Sequence, residues 1–245
     1  VLGAGAWLTA PPVDDGREID APLFQIGLKR RLRVPVFQDE SYCPMRGEVL
    51  DCWGDHALVC SCGGGRTVRH NAIRNVCYEE AVLAGTRAER EKVGLLPGRP
   101  SADGLPLKHG LCDRRPADIW LPRGESGGGE ALDFAVSSGM QSELFRPSAE
   151  EPGYVFHRYE NMKRSYKGTG EACNAAGFKF VPLVLEGHAA GWSPLLRSTV
   201  DWISRQGARI CQENPPTVSL RIAQRISCTF LRENARAVLR RATGP

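Results

Sequence analysis

The sequence has no apolar run long enough to cross a membrane, since no stretch approaches 18 consecutive apolar residues. It has no internal repeat, and Gly63-Gly64-Gly65 is not followed by the Gly-Lys-Ser/Thr sequence of a phosphate-binding loop. It begins at Val1 without an initiator Met and without the basic-then-apolar layout of a signal peptide. We therefore expect neither a membrane protein nor a P-loop protein, and we expect a segment of a longer polypeptide.

A strong excess of charge is also missing. The net charge of +4 permits a nucleic-acid partner without demanding one. A hydrophobic content of 42% and a charged content of 24% are ordinary for a globular protein, and 245 residues suit one large domain or two small ones. The positive charge is concentrated near the end of the chain, where residues 221–241 contain six arginines and one acid, Glu233.

Four of the nine cysteines lie within residues 43–62, together with His56. A secreted disulfide scaffold would be short and would space its cysteines throughout, so the clustering indicates a metal site in a reducing compartment. The spacing Cys-x8-Cys-x3-His-x3-Cys predicts four ligands of a structural Zn²⁺ ion: Cys43, Cys52, His56 and Cys60. A Cys-Pro-x-Cys-Gly knuckle would place a cysteine where Arg46 stands, so Cys52 or Cys62 replaces it or the site is degraded. The alternative is a loop of reduced cysteines without metal.

Hydrophobic periodicity and turn residues predict the following elements. Helices are expected over residues 23–32, 68–84, 155–176, 193–211 and 218–241. Strands are expected over 88–93, 119–121, 132–136 and 178–185, with a loop over 94–114. From residue 68 onward the order is helix, strand, strand, strand, helix, strand. This α-β-β-β-α-β order predicts an α/β fold with a mixed sheet and helices packed against it.

Two predicted strands each carry one aspartate among apolar neighbours. Asp118 precedes Ile119-Trp120-Leu121, and Asp133 lies between Leu132 and Phe134. A buried carboxylate is costly unless it is paired or binds a cation, and a glycine-rich hairpin can bring the two side by side. A hard divalent cation, Mg²⁺ or Mn²⁺, relieves their repulsion and can activate a water. The alternative is a structural pair with an arginine, for which Arg114 and Arg115 are candidates.

The helices on either side of the two aspartates each carry a charge near an apolar stripe. Glu79 lies within a predicted stripe of Val68, Ala72, Val76 and Leu83, and we expect it to add a metal ligand. Lys163 lies at the edge of a second stripe, formed by Val155, Tyr159, Met162 and Tyr166. We expect Lys163 to orient the attacking water or to neutralise the phosphate. Glu79 could instead pair with an arginine, and Lys163 could extend into solvent.

Further residues are candidates for contact with nucleic acid. Arg69, His70 and Asn71 open the first core helix, where side chains and free backbone N–H groups can bind phosphate. Arginines at helical spacing in the last helix predict a cationic face for the phosphate backbone, with a solvated face as the alternative. The full set of expected nucleic-acid contacts is Arg69, His70, Asn71, Tyr166, Lys167, Arg221, Arg225 and Arg232.

These motifs, in this order, resemble the restriction-like (PD-(D/E)XK) endonuclease of site-specific non-LTR retrotransposons. The resemblance covers about residues 40–186 and rests on Arg69-His70-Asn71, Glu79, Pro116-Ala117-Asp118, fourteen intervening residues, Asp133, and Lys163-Arg-Ser-Tyr166. In that family a Cys-Cys-His-Cys knuckle follows the reverse transcriptase and precedes the nuclease. Here the Pro-Asp element is one residue longer, and Ala135 stands where a strand lysine is usual, so Lys163 or Lys167 takes that role by resemblance.

The resemblance implies a metal-dependent endonuclease of a retrotransposon polyprotein, acting in the nucleus on DNA, with RNA as a further candidate partner. The catalytic residues would be Asp118, Asp133, Lys163 and Glu79, with Mg²⁺ bound by Asp118, Asp133 and Glu79. The expected domains are a connector over 1–40, the knuckle over 41–65, a nuclease core over 66–190 and C-terminal helices over 191–245. Two alternatives remain, a decayed nucleic-acid-binding module and a host resolvase-type nuclease of the same fold.

Overall fold

A computed structural model describes residues 3–97, 115–188 and 190–242. It confirms the α/β class with a mixed sheet and several helices. Most of the loop expected over 94–114, including Arg114, lies outside the described residues. None of the described helices combines the length and the apolar character that a membrane span requires.

The main sheet has four strands in the order β3-β4-β5-β6. Their bounds are Glu89–Arg90 for β3, Ile119–Leu121 for β4, Glu130–Ser137 for β5 and Lys179–Glu186 for β6. The first two pairings are antiparallel, and β5 and β6 are parallel along all eight residues. A separate two-stranded hairpin pairs β1, Ser41–Tyr42, with β2, Val49–Leu50. The predicted strands are confirmed, and β3 is shorter than expected.

Eight α-helices surround these strands in the described residues. They are α1 (Ala21–Arg31), α2 (Asp55–Val59), α3 (Gly65–Leu83), α4 (Ser142–Glu150), α5 (Tyr154–Ser165), α6 (Thr169–Ala175), α7 (Pro194–Cys211) and α8 (Pro215–Ala242). The connection from β5 to the parallel strand β6 runs through α4, α5 and α6, as a parallel pair requires a long crossover.

The single helix expected over 155–176 is wrong, because the chain forms two helices there. The first, α5, ends at Ser165, and α6 starts at Thr169. Between them Lys167 adopts a left-handed conformation with φ of 51°, which an α-helix cannot contain, and Gly168 follows with φ of 64°. Lys163 and Lys167 therefore do not belong to one continuous helix.

The sheet separates two apolar layers. On one face Ile119, Leu121, Leu132 and Phe134 join residues of α3, α7 and α8 in the main core. On the other face Ala131 packs with Phe180 and with Cys173 of α6. Because strand side chains alternate, Asp133 points away from the main core, toward the face that α5 and α6 cover.

A second apolar cluster joins the two ends of the chain. Leu23 and Ile26 of α1 pack with Leu50, with α2 and with the end of α8, where Ala235, Ala237 and Val238 contribute. The Cys/His segment is therefore built onto α1 and α8 rather than standing alone. The expected domain boundaries remain a prediction.

Candidate functional site

The two aspartates lie directly before β4 and within β5, which are neighbouring strands. The β4–β5 register pairs Ile119 with Leu132, so Asp118 comes directly before one member of this pair and Asp133 directly after the other. The backbone N–H of Asp118 donates to the Leu132 carbonyl oxygen over 2.8 Å, one residue out of this register, so the ladder becomes irregular at Asp118. The Asp118 carboxylate nevertheless accepts a hydrogen bond from the backbone N–H of Phe134, the residue after Asp133. The expected approach of the two acids is therefore present, although the strands do not pair them directly.

Asp118 is held by one backbone group and one side chain. Its Oδ2 accepts hydrogen bonds from the Phe134 backbone N–H over 2.7 Å and from His70 Nε2 over 3.1 Å. His70 stands in the second turn of α3, and its Nδ1 lies 3.4 Å from the Asn71 Oδ1. The hydrogen bond to Asp118 raises the pKa of His70 above its ordinary value although burial opposes this, and Asp133 adds to the increase.

Asp133 is held by α5. Its Oδ2 lies 2.9 Å from Lys163 Nζ, and the side chains of both residues are largely buried. Burial raises the pKa of Asp133, because it disfavours the charged form more than the Lys163 ammonium restores it, and Asp118 contributes repulsion. The expected approach of Lys163 to the aspartates is therefore present in the structure.

Glu79 does not join this group, and the stripe that suggested it is wrong. Val68 and Leu83 are 45% and 68% exposed, while the buried face of α3 carries other side chains: Arg69, Ile73, Val76, Cys77, Glu80 and Ala81. Glu79 lies on the exposed side of α3, where its Oε2 accepts a hydrogen bond from Arg225 over 2.9 Å. The alternative stated for Glu79, an arginine pair, is what occurs.

The residues present fit a divalent cation in part. Mg²⁺ is commonly held by one or two carboxylates with water completing the octahedron, and Asp118 and Asp133 supply two. No third carboxylate converges on them among the described residues, where the one group of three close ligand atoms lies elsewhere. The hydrogen bonds and ion pairs of both aspartates in the described part of the chain fall on Oδ2.

That group of three is Cys43, His56 and Cys60, whose ligand atoms lie within 4.8 Å of one another. The cluster could hold a metal ion such as zinc. Cys43 directly follows β1, His56 lies in the first turn of α2, and Cys60 is the residue after α2 ends. Both cysteines are 1% exposed, so a bound ion would be shielded from water.

Local hydrogen bonds explain why these three side chains meet. The turn after β1 closes when Gly47 N–H donates to the Cys43 carbonyl oxygen over 2.7 Å, with Gly47 at a φ of 73°. The Asp51 carboxylate accepts from the backbone N–H groups of Asp55 and His56, which fixes the start of α2. An acidic residue at a helix start satisfies N–H groups that have no partner within the helix.

His56 has one ring nitrogen unsatisfied. Its Nε2 is buried without a hydrogen-bond partner, whereas its Nδ1 lies 3.5 Å from Glu48 Oε2. A ligating histidine commonly gives its other nitrogen to a carboxylate, which fixes the ring. An orphaned buried nitrogen beside two thiols is the arrangement that a metal ion would complete, so the donor set fits zinc.

Cys60 is supported from the far end of the chain. Burial by itself would raise the pKa of the Cys60 thiol, but hydrogen bonds from the Arg241 side chain and the Cys62 backbone outweigh it, so the pKa lies below its ordinary value. Arg241 is 3% exposed in the last turn of α8 and also donates to the Cys62 carbonyl oxygen over 3.0 Å. Thiolates are the form in which cysteine binds metal.

Cys52 is not a member of the cluster, so the expected four-ligand set is corrected to three. Its carbonyl oxygen accepts hydrogen bonds from the Val36 and Phe37 backbone N–H groups. Arg46, at the position of the expected knuckle cysteine, pairs with Glu48 over 2.9 Å.

The three arginines of α8 that were expected to contact nucleic acid bind groups of the chain itself, and a nucleic-acid role for them remains a prediction. Arg221 donates to Glu213, Arg225 binds Glu79 and Glu80, and Arg232 binds the carbonyl oxygens of residues 15, 16 and 18. The helix is a central element with buried residues on most of its sides.

Arg69 is also less accessible than expected. It is 6% exposed and donates to Asn234 Oδ1 over 2.9 Å and to the Leu58 carbonyl oxygen. Tyr166 and Lys167 are exposed after α5, with Lys167 Nζ 5.3 Å from the Tyr166 ring centroid. A nucleic-acid role for the last two remains a prediction.

Two supporting residues were not found from the sequence, and a third was found with a different role. His70 was expected to bind phosphate and instead contacts Asp118. Glu48 and Arg241, which support His56 and Cys60, carry no local signal, since Arg241 and Cys62 are 179 residues apart.

Comparison with known proteins adds no family: no protein-family model matches the chain, and no curated protein matches it.

Proposed function

We propose that this chain is a metal-dependent DNA endonuclease with a restriction-like core, as in the polyproteins of non-LTR retrotransposons, and that it acts in the nucleus. The observation that carries the proposal is the meeting of Asp118 and Asp133 on adjacent strands with His70 and Lys163 beside them. The order α3-β3-β4-β5-helices-β6 supports it, because this is the element order of such a core.

The residues divide the work as follows. A divalent cation such as Mg²⁺ or Mn²⁺ on Asp118 and Asp133 would supply an activated water and stabilise charge on the phosphate. The backbone N–H of Phe134 and His70 orient the Asp118 carboxylate toward the ligand position. Lys163 Nζ, 2.9 Å from Asp133, places a positive charge where negative charge develops on the phosphoryl oxygens.

A second candidate is a nucleic-acid-binding module whose cleavage site has decayed. One observation favours it: each aspartate already has a cationic or ionisable partner within the chain, His70 for Asp118 and Lys163 for Asp133. Two acids that are compensated in this way can be structural, and a structural pair needs no metal.

Nicking of a supercoiled plasmid with and without MgCl₂ tests the proposal. Asp133→Asn keeps the size of the side chain and removes a metal ligand, so we expect a loss of about 10³-fold or more in nicking rate. Lys163→Met keeps the apolar stem and removes the charge, and we expect a loss of about 10²-fold. Asp201→Asn, on α7 and half-exposed, is the matched control and should nick like the wild type.

Each outcome decides between the candidates. Nicking by Asp133→Asn at the wild-type rate would refute the metal role of this aspartate. Absence of nicking by the wild type, with DNA binding retained, would support the decayed module instead.

A further inference from the structure

A cavity of about 490 Å³ lies outside the carboxylate pair, and neither aspartate lines it. It opens to solvent and is lined by the Cys/His segment, the start of α3, the end of β5 and the start of α4, and among its lining residues are Arg66, Arg69, Ser138, Gln141 and Tyr159. Arg66 precedes His70 by about one helical turn on α3, and Tyr159 precedes Lys163 likewise on α5. The cavity therefore adjoins the site through both helices.

The cavity contains a buried cation without an acidic partner. Arg69 is 6% exposed, and its two terminal nitrogens donate to neutral groups, the Asn234 side chain and the Leu58 carbonyl oxygen. Its Nε is buried with no hydrogen-bond partner, and in the part of the chain that the structure describes no carboxylate pairs with it. Burial, followed by repulsion from Arg66 and Arg30, lowers the pKa of Arg69 to about 10.

The other charges on the lining do not compensate Arg69. Arg66 is exposed and has no ion pair in residues 3–97, 115–188 or 190–242, while Arg30 shares Asp55 with Arg33. Glu143 is the other acid on the lining and is exposed. Because a buried guanidinium is costly without a counter-charge, the excess of positive charge on the cavity lining favours binding of an anion.

We propose that this cavity binds a phosphate group of the nucleic-acid strand whose cleaved phosphodiester lies at Asp118 and Asp133. Val136, on its lining, follows Asp133 by three residues of β5, which is about 10 Å along a strand. The phosphates of one nucleic-acid strand follow each other at about 3.4 Å of helix axis, so a phosphate about three positions from the cleaved one falls at this distance. The inference rests on the proposed function, because it assigns the substrate backbone of the same site.

Arginine forks and side-chain hydroxyls are the groups that recognise phosphate oxygens. Arg66 supplies an accessible guanidinium, the buried Arg69 supplies fixed positive charge, and Ser138 and Ser142 add hydroxyl groups. A planar carboxylate would leave part of this donor set unused. A cavity of this volume also accommodates the sugar attached to a phosphate.

Binding of a labelled single-stranded DNA oligonucleotide, measured by fluorescence anisotropy in EDTA so that no cleavage occurs, tests the proposal. For Arg66→Gln we expect about tenfold weaker binding at low salt and a slope of log affinity against log salt that is smaller by about one. Arg209→Gln, which removes an exposed arginine of α7 that does not line the cavity, is the matched control. Ser142→Trp narrows the cavity without changing its charge and should also weaken binding.

Inorganic phosphate provides the second arm of the test. If the cavity recognises phosphate oxygens, millimolar phosphate should raise the melting temperature of the wild type and not that of Arg66→Gln. Binding of both variants equal to the wild type would overturn the proposal even if Asp133→Asn abolishes nicking. Stabilisation by phosphate with no effect of the variants on oligonucleotide binding would reassign the cavity to a free phosphate ion. If no protein nicks DNA but the variants lose oligonucleotide binding, the endonuclease fails and the phosphate site stands.

Discussion

The carboxylate pair and the Cys/His cluster are both candidate metal sites, and they differ in how their charges are satisfied. Asp118 and Asp133 each already contact a basic side chain, His70 and Lys163. In the Cys/His cluster His56 Nε2 is buried with no partner at all. The first site is complete without an ion, whereas the second has a donor atom that only an added group can satisfy.

The difference predicts two kinds of metal binding. An ion at the aspartates has to compete with His70 and Lys163, so we expect weak binding that improves when a phosphate supplies further oxygen ligands. An ion at the Cys/His cluster binds a nitrogen that otherwise has no partner and two buried cysteines, so binding there should be tight and coupled to folding.

Removal of a thiolate should have the largest effect on stability. Cys60→Ser is expected to lose one equivalent of zinc and to lower the free energy of unfolding by about 3 kcal/mol or more, because metal-binding free energy at such a site is folding free energy. The loss should spread to α1 and the end of α8, which pack on this segment. Zinc content and thermal unfolding, each with and without chelator, measure the two effects.

The exposed thiol of Cys211 on α7 provides the control for this experiment. Cys211→Ser should retain zinc and the wild-type melting temperature. Retention of a full equivalent of zinc by Cys60→Ser would remove the contrast between the two sites.

The contribution of the carboxylate site to stability should depend on pH. The pKa of His70 is raised in the folded protein, so its bond to Asp118 contributes stability that is fully present below the unfolded pKa of about 6.5 and is lost as pH rises through the folded value. His70→Gln should remove about 1 kcal/mol of stability at pH 5.5 and less at pH 8.5, since the partner is a partly buried charged group. Urea unfolding without divalent metal, at both pH values, measures this.

His70 lowers the pKa of Asp133, so His70→Gln also changes the titration of that carboxylate. The same comparison made in an Asp133→Asn background removes this contribution and isolates the bond between His70 and Asp118. A pH-independent difference would show that the hydrogen bond to Asp118 does not involve the charged imidazole. The carboxylate site would then no longer be internally compensated on its Asp118 side.

The local sequence pattern was enough to predict the strands and the approach of the two aspartates. Apolar strand segments and glycine-rich turns are features of a few neighbouring residues. The local pattern was also enough for Cys43, His56 and Cys60, which lie within 18 residues of chain. The helical spacing of Lys163 predicted that it reaches the aspartates, and in the structure its ammonium group contacts Asp133. These features depend on neighbours in sequence, and periodicity carries that information.

One failure was local, the break between α5 and α6 at Lys167 and Gly168, and the others concern contacts between separate elements. Val68 and Leu83 lie near the two ends of α3 and are exposed, so they are not part of its buried face. Because the expected apolar stripe ran through them, Glu79 was expected on the buried side of α3, and it lies on the exposed side. Arginines of α8 were expected to face solvent, but carboxylates and carbonyl oxygens from other elements bind them. Spacing alone could not exclude Cys52, because the turn geometry after β1 decides which thiol reaches His56.

The smallest expected effect tests how complete the Cys/His cluster is. Three ligands converge, and Arg46 occupies the turn position that a fourth cysteine would take, with its N–H and that of Gly47 both donating to the Cys43 carbonyl oxygen. Arg46→Cys should add a thiolate to a site with an open fourth position, tightening zinc binding by about tenfold. In the cobalt-substituted protein the thiolate-to-metal absorption should rise by about half, since two thiolates become three.

Arg46→Ser removes the same ion pair with Glu48 without adding a ligand, and should bind zinc like the wild type. Unchanged affinity and absorption in Arg46→Cys would mean that another group already fills the fourth position, and Cys62→Ser in the same assay would then identify or exclude the Cys62 thiol.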